Sequence, residues 1–198
     1  MKLAYNDLYE RYNNILKPLI SEQEGRLETF AEPLLHSLSS MLDAVALADS
    51  SSDEEKDKLL VTAKGALDLS ISLSYQYLIF ALKKKIVEFE ERVPKDIREK
   101  LNAGRFIGKY AELTEKAHSL MDECKSKNND LECLDLYREA YENMTEIERL
   151  INENYAETLI AEKEKRSWYI KVIIKVASVL ISVVVGYYVG NLLISIWK

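Results

Sequence analysis

Few residues in this 198-residue chain could do chemistry. It has two histidines (His36 and His118), two cysteines (Cys124 and Cys133), and one lysine closing a glycine-bounded stretch, Gly104-Arg105-Phe106-Ile107-Gly108-Lys109. A histidine works as general acid or base only beside a second polar group that shares its proton. His36 falls on an apolar helix face and His118 on a mixed one, and lone histidines so placed are expected to be structural or exposed. A zinc site needs three or four closely spaced ligands. Cys124 and Cys133 lie nine positions apart across a polar turn, with no third ligand near. The glycine stretch is one residue short of a phosphate loop. It lacks the Ser or Thr after Lys109 and follows no strand, so it reads as a helix break. No HExxH pair and no nucleophile elbow occur. Asn143-Met144-Thr145 has the form of a glycosylation acceptor, but it falls within a helical pattern. No catalytic, cofactor-binding or metal-ligating residue is expected, and the chain reads as non-enzymatic.

The physical work of the sequence lies instead in its last segment. Val176 to Trp197 is a run of 22 uncharged residues. As a helix it spans about 33 Å, enough for a hydrocarbon core of about 30 Å. Trp168 and Tyr169 before the run and Trp197 at its end suit the two interfaces. Lys171 and Lys175 reach back toward head groups. With Lys165 and Arg166 they form a basic juxtamembrane segment over 164–175, just after Lys163, while only Lys198 follows the run. The positive-inside rule then places the N-terminal part in the cytoplasm, below a single-pass, tail-anchored span at 176–197. Residues 1–14 contain no apolar core of the kind a signal peptide needs.

Ser178, Ser182, Gly186 and Gly190 recur every four residues and ride one face of that span. Small residues there let two helices approach closely in lipid. Asn191 calls for an interhelical hydrogen bond. The expected partners are therefore the bilayer, further copies of the chain, and an unidentified cytoplasmic protein.

Charge divides unevenly. Residues 164–198 hold five Lys/Arg and one Glu, which leaves 22 basic and 32 acidic residues before them. So acidic a domain is not expected to bind nucleic acid in general. Three prolines and six glycines are too few for an all-β fold.

Residues 1–163 read as a helical bundle of four to six helices. Leu8, Tyr12, Ile15 and Leu19 repeat at helical spacing, and Pro18 ends or kinks that helix. Ser21 and Glu24 have the form of a capping box that starts the next one. Leu34 to Val45 continue an apolar face, and residues 49–53 form a loop from which Ser52 and Glu55 cap a helix over about 53–92. Its middle, Leu69 to Leu82, carries no charge and suits a buried central helix better than a span. Pro94 closes it, Asn102-Ala103-Gly104 is a stop, and a further helix runs over about 105–124. After a polar turn at 125–130 the pattern stays helical to Arg166 and is expected to run as a long stalk toward the membrane.

Three families share this gross layout. Asn102-Ala103-Gly104-Arg105 resembles the NWGR motif of Bcl-2-type death regulators, but it lacks the tryptophan and follows the apolar helix instead of preceding it. The long helix and span are similar to those of syntaxin-like fusion proteins, without the continuous heptads and central polar layer. In length and helix count the chain resembles HEPN-type bundles, which are common in prokaryotic defence systems. That family's RNase needs Arg and His a few residues apart. Here Arg26 and His36 are ten apart, and Arg105 and His118 thirteen. The leading expectation is a membrane-tethered module whose cytoplasmic bundle recruits or senses a partner while its span drives homo-oligomerisation. The alternative is an oligomeric pore or membrane-perturbing effector, such as an accessory of an antiviral defence system built on a HEPN-like bundle without the RNase motif.

Overall fold

The computed structural model describes residues 5–27, 31–127, 130–160, 163 and 166–178. Among them every regular element is helical and no strand occurs. The order is α1 (Tyr5–Arg11), a π-helical turn (Tyr12–Leu16), α2 (Lys17–Arg26), α3 (Glu32–Ser50), α4 (Asp53–Arg92), α5 (Lys95–Arg98), a 3-10 turn (Leu101–Gly104), α6 (Arg105–Ser126), a second 3-10 turn (Asp130–Cys133) and α7 (Leu134–Glu153).

The first stretch corrects two expectations. Pro18 does not end the helix, and Ser21 with Glu24 does not start one. Lys17 N–H donates to Tyr12 O, five residues back, so the turn just before Pro18 is wide. A π turn of this kind relieves the clash between the proline ring and the carbonyl four residues earlier. The rod therefore continues to Arg26 and ends only where Leu27 becomes extended (φ −122, ψ 142). Pro33 stands in the first turn of α3, where a missing N–H costs nothing.

α4 is 40 residues long, about 60 Å, and forms the axis of the molecule. Ser52 precedes it with an extended backbone, and its carbonyl accepts from Lys56 N–H at 2.8 Å, but its hydroxyl makes no cap bond. Asp53, Glu54 and Glu55 fill the first turn, where acidic groups suit the helix dipole. Leu60, Leu67, Ile71, Leu78, Leu82 and Phe89 are buried along it.

Cross-helix bonds set the directions. Arg11 pairs with Asp68, and Gln23 Nε2 donates to Ser74 O at 3.0 Å, so α1–α2 run parallel to α4. Tyr75 meets Tyr141, and Lys85 meets Glu148, so α7 is also parallel to α4. Ser37 Oγ donates to Ala66 O at 2.8 Å and Tyr5 OH to Asp49 at 2.9 Å, so α3 returns antiparallel. α6 is antiparallel to α7, with Lys109 on Glu146 and Lys116 on Glu139. The serines of the uncharged stretch become intelligible here. Ser70 and Ser74 are fully buried, and Ser70 Oγ donates to Ser37 Oγ at 3.0 Å. Side chains this small let neighbouring helices close on α4.

α4 is also the one helix among the described residues that is long and apolar enough to cross a membrane, by length and composition alone; 56% of its apolar window is buried by its neighbours. The membrane-length helix displayed by the described residues is thus central, where the sequence placed a core helix. The expected C-terminal span lies beyond Ser178, outside the described residues.

The expected unbroken stalk is interrupted. α7 ends at Glu153, and Asn154 takes φ −99, ψ 7. Its amide donates to Leu150 O at 2.8 Å, the local side-chain bond by which asparagine competes with helix continuation. Helix resumes at 155.

Candidate functional site

The exit of the chain from the packed helices is built at one end of α4. Arg92, the last residue of α4, lies over the Tyr155 ring at 5.5 Å. Thr158 is fully buried and its hydroxyl donates to Asn154 O at 2.9 Å. Asn102 N–H donates to Glu157 Oε2 at 2.8 Å. Leu159 and Ile160 are exposed.

The Asn102 contact comes from an unusual turn. Asn102 (φ 50), Ala103 (φ 53) and Gly104 (φ 84) are three consecutive left-handed residues. Glycine suits that conformation and asparagine tolerates it, whereas an alanine there costs about 1 kcal/mol. Ala103 is exposed, so its methyl group packs on little. Ala103→Gly is therefore expected to raise stability by about 0.5 kcal/mol, the relieved strain less the added freedom of the unfolded chain. Urea titration of the full-length protein in detergent checks this, and a clear loss of stability would show that the turn is not strained.

Beyond the exit, residues 166–178 are helical and exposed throughout. Trp168 is 60% exposed and stands edge-on to Tyr169 at 5.3 Å; Ile173 is 65% exposed, and Ile170, Ile174 and Val176 resemble it. Lys171 and Lys175, one turn apart, share a side of the helix. Ser178 Oγ donates to Lys175 O at 2.8 Å, the local bond of a serine in a helix. A contiguous exposed apolar surface of this kind marks a membrane or protein contact. Of the expected packing and interface residues, Trp168, Tyr169, Lys171, Lys175 and Ser178 lie on this helix. Ser182, Gly186, Gly190, Asn191 and Trp197 lie outside the described residues.

The helices that hold the exit are joined by a polar cluster that local spacing could not reveal. Arg26 on α2 grips Glu148 on α7 through two bonds of 2.9 and 2.8 Å, and its Nε meets Glu22 at 2.7 Å. Lys85 of α4 reaches the same Glu148 at 2.9 Å. Tyr141 OH donates to Glu22. The hydrogen bonds from Arg26, joined by Lys85 against the cost of burial, hold the Glu148 carboxyl down at about 2. Burial, with Glu22 as hydrogen-bond partner, raises the Tyr141 hydroxyl to about 12. Arg26, Lys85 and Tyr141 thus converge on Glu22 and Glu148 and tie α2, α4 and α7 together.

A cleft of about 350 Å³ opens beside the cluster, lined by Arg11, Tyr75, Arg138 and Tyr141 among others. Its charged groups are paired too, Arg11 with Asp68 at 2.6 Å and Arg138 with Asp135 at 3.1 Å. His36 is exposed on α3, and His118 lines a shallow groove with Glu90, Arg98 and Tyr110. Cys124 and Cys133 are both buried at the α6–α7 turn, where each thiol points at the other's carbonyl oxygen. Burial and the neighbouring Cys133 push the Cys124 thiol up to about 12, far from nucleophilic. Among the described residues no three His, Cys, Asp or Glu side chains gather as metal ligands would.

Fold and site together define an all-helical protein whose described residues end on an exposed, apolar helix edged with lysine. No family model matches the chain, and neither a curated protein nor a solved structure gives a match to it.

Proposed function

We propose that this chain is a non-enzymatic, single-pass membrane protein, anchored through 176–197, whose cytoplasmic helical bundle recruits or senses a partner while the span drives homo-oligomerisation. The observation that carries the reading is the helix over 166–178. It leaves the packed helices past Thr158, is exposed throughout, and bears aromatic and branched apolar side chains with a lysine edge. Such a helix is costly in water, and lipid is a solvent that covers it. It leads directly into the uncharged run. In this reading Ser178, Ser182, Gly186 and Gly190 form the face on which spans pack, and Asn191 supplies an interhelical bond. Trp168, Tyr169, Lys171, Lys175 and Trp197 sit at the interfaces.

Light scattering of the detergent-solubilised full-length protein, corrected for bound detergent, tests the assembly. Gly186→Ile combined with Gly190→Ile adds branched side chains to the packing face and is expected to reduce a defined oligomer to smaller species. An unchanged mass would sink the packing claim. Recovery of the protein in the soluble fraction after alkaline extraction of membranes would sink the anchor itself.

A further inference from the structure

The outer face of α3 is unlike the rest of the surface. Leu34, Ser37, Met41, Ala44 and Ala48 are the buried residues of α3 and face inward. At about 100° per residue, the stripe opposite them is Leu35, Ser39, Leu42 and Ala46. All four are exposed, Leu35 at 52% and Leu42 at 61%. Their 4-3-4 spacing is that of a coiled-coil seam, with large and small side chains alternating. Between Pro33 and Ala48 the only Asp, Glu, Lys or Arg is Asp43, in a chain that is 30% charged overall.

We infer that this stripe is where two copies of the chain meet, side by side and parallel. Three observations select a second copy over another partner. In a parallel, in-register pair Leu35, Leu42 and Ala46 each meet their own counterparts and Ser39 meets Ser39, so the stripe sets apolar against apolar along its length. A protein of net charge −6 repels its own copies on most faces, but not on one that is nearly uncharged. The chain leaves the packed helices beside Arg92, at the same end of α4, in every copy. α7 runs parallel to α4 and α3 antiparallel to both, so two copies anchored in one bilayer present their α3 helices in matched orientation. Both the parallel arrangement and the local concentration that lets so short a seam form rest on the anchor proposed above. A stripe four residues long buries far less than the roughly 1,200 Å² of a stable interface, so the contact depends on the high effective concentration that tethering in a membrane provides.

Cysteine scanning in native membranes tests it. Leu35→Cys, Ser39→Cys and Ala46→Cys are made singly in the full-length protein, with Gly190→Cys as a control in the span, and each is oxidised. Cys124 and Cys133 are buried, and the unsubstituted chain sets the background. The expected result is a covalent dimer, at least fivefold above background, for each of the three α3 variants alone. Dimers only when Leu35→Cys and Ala46→Cys are mixed would show an antiparallel pair and overturn the arrangement. No α3 dimer while Gly190→Cys still cross-links would overturn the seam and leave the anchor reading standing. Failure at all four positions in protein that resists alkaline extraction would overturn both the seam and span-driven assembly.

Discussion

Replacing Phe106 by alanine is expected to lower the stability of the protein by about 3–5 kcal/mol, the cost of emptying a fully buried aromatic site. Phe106 has no exposure, stacks on Tyr110 at 5.3 Å and meets Phe89 at 5.8 Å. These three rings lock the first turns of α6 to the last turns of α4, beside the left-handed turn that holds Glu157. The lost packing removes both the transfer free energy of the ring and the contacts of the cavity walls. For a chain of this size the melting temperature should fall by on the order of 10 °C. Phe106→Leu keeps most of the volume and should cost under about 1.5 kcal/mol. Differential scanning calorimetry of both variants in detergent decides it, and a loss below 1 kcal/mol for the alanine would mean that the ring is not packed as described. A second readout follows from position. Because the cluster braces the exit, hydrogen exchange in Phe106→Ala should accelerate first over 154–160, ahead of the α3–α4 interface.

The next largest effect is expected at Glu148. Its side chain is 18% exposed and that of Arg26 is 17%, so the pair is mostly removed from water. The folded carboxyl titrates at about 2 against an ordinary value of 4.5. A depressed acid stabilises the fold above its unfolded pKa, and that stabilisation is lost as the pH falls through the folded one. The window is therefore from about pH 5 down to 2. A fall of about 2.5 pH units, at about 1.36 kcal/mol each, sets a ceiling of about 3.4 kcal/mol, and residual solvent screening brings the size to about 2–3 kcal/mol. Glu148→Gln removes the charge but keeps a carbonyl acceptor. At pH 7 it should destabilise by about 2–3 kcal/mol, because Lys85 loses its acid and Arg26 keeps only Glu22. By pH 2 the native glutamate is itself about half protonated, and most of the gap between the two proteins should have closed. Urea midpoints across that range test the claim. A gap that stays constant from pH 7 to 2 would assign the loss to packing and not to charge.

Much of the architecture was legible along the chain, because helices are local. The limits of α4 follow from an acidic first turn after Ser52 and from Pro94, and its buried character from an uncharged stretch too short for a bilayer. Asn102-Ala103-Gly104 announced a stop by composition alone. The misreadings were also local in origin. Pro18 and Ser21 carry strong terminator and starter signals, yet a single wide turn absorbed the proline and Ser21 became an interior residue. Asn154 gave no warning, since asparagine inside a helical pattern breaks it only when its amide turns back on its own backbone. Of the candidate site, the lysine-edged aromatic helix was visible in sequence, whereas the contacts that anchor its base were not.

What the sequence determined by itself is whatever depends on neighbours within a turn or two: the helical class, the central helix, the acidic body, and the apolar C-terminal run with its basic flank. Tertiary structure alone decided the rest. Arg26 and Glu148 are 122 positions apart, and Asn102 and Glu157 are 55 apart. No periodicity relates such residues, because their meeting is set by how the α1–α2 rod, α3, α6 and α7 assemble with α4. The same packing leaves the Leu35–Ala46 stripe outside. In sequence both sides of α3 look apolar, and only the choice of which one faces α4 reveals the other as free for a partner.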